Sequence, residues 1–162
     1  MVGGRQYHIF FNDRGLHNHL AHHLLATFSL GASAERIRAI HEHQSRIQQK
    51  MKPAHGDAPF NPEEHWGDET YYHDYLAFFT REIEERDGGD GGRTLERWLF
   101  EEEVGKRSQF YTRCLGGAYH PFIHLGYGIE YNLNCMIGEG KTTFLTFGAF
   151  NGHATYTVHC GY

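Results

Sequence analysis

The sequence predicts a mainly α-helical protein: one bundle-like helical domain over residues 7–133, followed by an irregular or weakly β tail over 139–162. Three observations carry this. Apolar residues recur at helical spacing through most of the length, helix start and stop signals flank those runs, and the texture changes after about Gly138.

The first helix is expected over Leu16–Leu30, where Leu16, Leu20, Leu24 and Phe28 form an i, i+4 stripe and Gly31 supplies the stop. Ser33 can cap a second helix from about Ala34 to Gln49, whose apolar face is thin (Ile37, Ile40, Ile47). Residues 51–61, "MKPAHGDAPFN", form a loop, and Asn61-Pro62 offers a cap followed by a proline suited to the first helical position. Tyr72, Tyr75, Leu76, Phe79 and Ile83 then share one side of a strong helix. "GGDGG", 88–92, is predicted to be a flexible connector. "RTLERWLFEEE" gives a short helix with Leu95, Trp98 and Leu99 inward, and the charge runs "EIEERD" and "FEEE" read as solvated helix faces. Residues 108–132 are predicted to be helical on both sides of a break near Gly116–Pro121. Beyond that, "TTFLTFGAF" and "HATYTVHCGY" are rich in Thr, Phe, Tyr and Val and poor in charge, which favours strand or irregular structure.

Composition narrows the function. With 162 residues and 40% hydrophobic content, the chain can bury a sizeable core. Its formal net charge of −5 argues against nucleic-acid binding. No apolar run approaches the roughly 18 residues a membrane span needs, and the N-terminus does not resemble a signal peptide. Three widely spaced cysteines, Cys114, Cys135 and Cys160, suit a reducing compartment, and a cytoplasmic location is expected. The outlier is histidine, with 14 residues.

Four of them crowd into "HNHLAHH", 17–23. His19 and His23, four apart on a helix, can reach one cation, and "HPFIHLGYGIE" repeats the spacing with His120 and His124. The bland alternative is half-buried polar residues beside a core stripe. Together the two pairs point to a shared site for iron, zinc, copper or nickel, among which spacing does not choose. On this reading His17 and His22 are solvated or lie behind the ligands. "GEGKTT", 138–143, has Cys135 where a phosphate-binding loop requires its first glycine, and no GxGxxG fingerprint for a flavin or dinucleotide fold occurs.

Three blocks, "HIFFNDRGLHNHLAHHLLATFSLGAS", "GDETYYHDYLAFFTREIE" and "LGGAYHPFIHLGYGIEY", resemble the fungal questin oxidase-like proteins in order and spacing, over about residues 7–132. The resemblance implies an oxidoreductase of aromatic polyketide secondary metabolism that opens an anthraquinone ring by oxygen insertion, a Baeyer–Villiger-type outcome. It implies NADPH as co-substrate, no flavin, and a non-haem iron held largely by histidines. His19 and His23 match the first ligand pair, with His120 the favoured third ligand and His124 next. Family members are more than twice this long, and the residues after about Asn132 are expected to depart from the family pattern. A fragment of a larger enzyme, inactive by itself and prone to self-association through exposed apolar surface, is the corresponding expectation. The rival is a non-catalytic helical module that binds a metal or a partner.

Overall fold

A computed structural model describes residues 6–12, 16–56 and 59–146 of the chain. Among these residues there are eight α-helices and no sheet, as the sequence predicts. Among the described residues no helix is long and apolar enough to cross a membrane.

The entry to the fold is not helical. Residues 9–11 lie against 16–18, with Phe11 N–H donating to Leu16 O (2.9 Å) and Asn18 N–H to Ile9 O (2.6 Å). Helix α1 therefore spans Leu20–Ser29 and does not begin at Leu16. The cause is local: the Asn18 carboxamide oxygen accepts from Leu20 N–H at 2.9 Å, which satisfies a first-turn donor and sets the start. Helix α2, Ala34–Ser45, starts where expected, with the Ser33 hydroxyl accepting from Arg36 N–H, but it ends before Gln49.

Asn61 and Asp68 each cap a short 3₁₀ turn, and the second leads into α3, Tyr72–Arg81. A wider π-type turn, Glu82–Arg86, continues α3 and keeps Ile83 in the core. The glycine run that follows is a tight ordered turn and not a connector. Gly88 and Gly89 take positive φ, Asp90 caps Arg93 N–H at 2.8 Å, and Gly91 begins α4, Gly91–Glu96. A β-carbon on Gly91 would lie 2.6 Å from Asn134 Oδ1, so this position is dictated by packing.

A second π-type turn, Arg97–Glu101, extends α4, and here the charge runs depart from the solvated reading. Arg97 is buried, and its guanidinium pairs with Asp87 (2.7 Å), Glu82 (2.8 Å) and Glu102 (2.7 Å). A buried guanidinium requires such compensation, and these carboxylates turn inward to supply it. Short helices α5, Glu103–Arg107, and α6, Phe110–Arg113, follow. The predicted break falls at Gly117, Ala118 and Tyr119, all at positive φ, before α7, His120–Glu130, with Pro121 in its first turn.

The largest departure is α8, Asn134–Thr146. Residues 139–146, assigned from the sequence to an irregular or weakly β tail, form one continuous helix with 134–138 and are buried throughout. Helices α3, α4, α6 and α7 all pack on it. Gly128 and Gly140 let α7 and α8 approach closely. The buried threonines satisfy themselves within the helix: Thr142 donates to Gly138 O (2.8 Å) and Thr143 to Glu139 O (2.6 Å). Burial on every side overrides the strand propensity of Thr and Phe. The "GEGKTT" stretch is helix interior. Residues 147–162, with Cys160, lie outside the described residues.

The core centres on Tyr75, Phe79, Trp98, Phe110, Ile137 and Phe144. Helix α1 meets α7 at one end of this body, and that meeting places the histidines.

Candidate metal centre

Five imidazoles gather where the 16–19 segment, α1 and α7 meet: His17, His19, His22, His120 and His124. His17 is placed by the pairing of 16–18 with 9–11 and is 3% exposed. Its ring stacks on His22 and on His120, with centroids 5.1 Å away in each case. His19 immediately precedes α1, and its Nε2 lies 2.7 Å from His120 Nε2. His22, buried one turn further on, faces His124, with Nε2 to Nδ1 at 2.9 Å.

Of the four residues that spacing singles out, the structure brings together His19, His120 and His124 and does not bring in His23. His23 is exposed and turns toward α2, where its Nδ1 accepts from the Gln44 side-chain amide at 2.7 Å. His22 takes its place because i and i+3 share a helical face as well as i and i+4 do, and α1 presents the i+3 side to α7. His17, expected to be solvated or peripheral, is among the most enclosed of the group. Its signal was obscured because 16–19 is extended, so helical spacing did not apply to it. Glu139 was missed because it fell in the stretch read as tail.

The hydrogen bonds assign a consistent set of tautomers to the neutral rings. Glu139 Oε2, an acceptor, lies 2.9 Å from His124 Nε2, so that nitrogen carries the proton. In that tautomer His124 accepts at Nδ1 from His22 Nε2–H. The remaining lone pair of His22 is on Nδ1. In the same way His120 donates from Nδ1 to Gly117 O (2.7 Å), which leaves its Nε2 lone pair facing His19.

Burial, followed by its imidazole neighbours, pushes the His17 pKa far below the ordinary range. Burial and His124 push His22 down to about 3, and burial with His120 lowers His19. Charging one ring beside four others in a dry site is unfavourable, so these rings hold free lone pairs at neutral pH.

One nitrogen from each of His17, His19 and His22 lies within 4.8 Å of the others. Two ligands at ~2.1 Å from one ion can stand no more than about 4.2 Å apart, so only a small closure is needed. Both ring nitrogens of His17 are buried without a hydrogen-bond partner among the described residues. Such a group costs about 1–3 kcal/mol when left unsatisfied, and a cation satisfies it. The donor set thus fits a first-row divalent metal with imidazole ligands. His19 is exposed and His120 half-buried, which gives an ion a way in.

On the other side of His124 lies a cavity of about 670 Å³. Ile9, Leu20, Leu24, Leu25, Ile37 and Met136 make most of its wall, with Tyr72 beside them, and His124 and Glu139 line it too. His124 is therefore shared by the cavity and the imidazole cluster.

With this geometry in place, likeness to known proteins is informative. The sequence profile of the questin oxidase-like family matches residues 16–155, so the family pattern runs well past Asn132, where it was expected to end. The chain is 29% identical over 141 residues to the Baeyer-Villiger oxidase ptaJ of Pestalotiopsis fici, covering 83% of this chain and 31% of the relative. It is 34% identical over 151 residues to the Baeyer-Villiger monooxygenase dmxR6 of a Cryptosporiopsis species, covering 86% of this chain and 32% of the relative. Likeness to the questin oxidase of Aspergillus fumigatus is 29% over 141 residues, covering 83% of this chain and 31% of that protein. The chain thus spans about a third of the length of these curated relatives. It belongs to the questin oxidase-like family.

Proposed function

We propose that this chain carries the metal-binding site of an oxygen-dependent oxidoreductase acting on an aromatic polyketide of the anthraquinone type. The observation that carries the reading is His17, an enclosed imidazole whose two nitrogens have no hydrogen-bond partner among the described residues, grouped with His19 and His22 beside an apolar cavity. His17, His19 and His22 would hold the ion, with His120 opposite His19 as a fourth donor. Iron(II) is the metal that suits oxygen chemistry in such a donor set, and when bound it supplies the site for dioxygen and the electrons that activate it. The outcome is Baeyer–Villiger-type: one atom of dioxygen enters the bond beside a ring carbonyl, the other leaves as water, and NADPH supplies the two electrons. No flavin is required.

The chain's own residues do three things. Glu139 holds His124, and His124 holds His22, so the Nδ1 lone pair of His22 points one way; carboxylate–histidine supports of this kind orient ligands and raise their basicity. The aliphatic wall takes up a flat, apolar ring system and excludes water from it. Tyr72, buried against His8, closes the inner side. All five imidazoles, Glu139 and this cavity come from the one chain, and on that ground the reading departs from the expectation of an inactive fragment.

The test is an aerobic incubation with ferrous iron and NADPH, following anthraquinone absorbance and oxygen uptake together. Metal-dependent loss of the quinone is expected, and His22→Ala is expected to abolish it. Iron-loaded protein that leaves both the quinone and oxygen unchanged would overturn the proposal in favour of a non-catalytic metal-binding module.

A further inference from the structure

The cavity is not uniformly apolar. Helix α2 contributes Ile37 to its wall and, on the same face, Arg38, His41 and Glu42. Arg38 is the one arginine in the lining among the described residues. Elsewhere Arg86, Arg93, Arg97 and Arg107 are all engaged in ion pairs. Arg38 has neither an ion pair nor a hydrogen bond among the described residues, and Glu42, one turn along, is not within ion-pairing distance of it. His41, also without a hydrogen-bond partner there, stands one turn from Arg38. The lining also holds two carboxylates, Glu42 on α2 and Glu139, the latter committed to His124.

We propose that Arg38, assisted by His41, forms an anion-recognising rim that selects aromatic ligands carrying a carboxylate or an ionised phenol. This rests on the cavity being the substrate's seat, as read above, and adds both the class of substituent and the orientation. The guanidinium is a planar fork suited to two oxygens of one acidic group, and its charge-assisted hydrogen bonds are strengthened beside apolar walls. Glu139, beside His124, repels an anionic group, whereas Arg38 on α2, outside ion-pairing distance of Glu42, attracts it. A ligand acidic at one end therefore enters with that end at α2 and presents its uncharged rings to His124, next to the imidazole cluster. An α2 with a full apolar face would not do this. Its large apolar side chains, Ile37 and Ile40, are few and leave room for polar residues on the cavity side.

Isothermal titration of the full chain with two probes of nearly the same shape, anthraquinone-2-carboxylate and 2-methylanthraquinone, tests it. Wild type is expected to bind the carboxylate at least about tenfold more tightly, the worth of one hydrogen bond to a charged group. Arg38→Gln is expected to remove that preference while binding the methyl compound within about twofold of wild type, and Arg38→Lys to keep part of it. Arg38 is exposed, so far-UV circular dichroism of the variants is expected to match wild type. If both probes bind and Arg38→Gln leaves the preference untouched, the rim is refuted and the cavity stands. If neither probe binds wild type, the cavity reading fails and the rim with it.

Discussion

At the residue scale, the histidine cluster shows what spacing can and cannot reveal. Two HxxxH pairs were legible, and they identified the helices that meet. Which imidazoles converge was decided by something spacing does not encode: the Asn18 side chain starts α1 at Leu20, and the preceding residues run extended. That brings in His17 and turns His23 toward Gln44. A second residue, Lys141 of the "GEGKTT" stretch, has a setting that the sequence did not indicate. Lys141 is fully buried, with Nζ lacking a hydrogen-bond partner among the described residues and lying 4.5 Å from the centre of the Phe79 ring. Burial, reinforced by Arg97, holds its pKa well below the usual lysine range, against the opposing pull of Glu82 and Asp87. Because the folded pKa is lowered, the unfolded chain binds the extra proton in the range between that lowered value and the ordinary lysine pKa. Stability is then full above that pKa and is lost as pH falls through it, so at neutral pH the residue is a net cost. Lys141→Met is expected to raise unfolding stability by about 1–3 kcal/mol at pH 7, with the gain shrinking toward pH 10. Urea denaturation at the two pH values measures this. A variant less stable than wild type at pH 7 would mean that the ammonium is charged and held by the aromatic faces of Phe79 and Trp98.

At the scale of elements, the amphipathic helices were readable because one face is apolar and the other is not, as in α3 with Tyr72, Tyr75, Leu76 and Phe79. Helix α8 was not, for the converse reason. Residues 136–146 are buried on all sides, so no periodic contrast exists for a sequence reading to detect. Its glycines and threonines, which suggest a turn or strand in isolation, serve close helix packing. A matched pair of substitutions on α7 tests this. A β-carbon on Gly128 would sit 2.9 Å from the Ile137 backbone nitrogen, whereas one on Gly126 meets nothing within 4 Å. Gly128→Ala is expected to cost about 1–3 kcal/mol through overpacking. Gly126→Ala, an exposed helix-interior position, is expected to be neutral or to gain up to about 1 kcal/mol. Thermal and denaturant unfolding distinguish the two, and equal effects would contradict the α7–α8 contact. The glycine run at 88–92 teaches the same point, since composition suggested a connector and the Asp90 cap with the Gly91 contact makes it a fixed corner.

At the scale of the molecule, helical class and family were legible, and the family profile extends through residue 155. The deepest element, α8, also supplies Glu139, so core and candidate site are coupled. The helix that fills the bundle holds His124, and His124 holds His22. The central claim is that His17, His19 and His22, and not the His19–His23 pair suggested by spacing, bind one divalent ion. Titration of the purified chain with cobalt(II), read by its visible d–d absorption, tests it most directly. Wild type is expected to saturate at one equivalent. His17→Ala and His22→Ala are each expected to weaken binding by at least about tenfold, with Glu139→Gln weakening it to a similar or lesser degree through loss of support to a ligand. His23→Ala is expected to match wild type. Loss of binding in His23→Ala with retention in His17→Ala and His22→Ala would contradict the site described here.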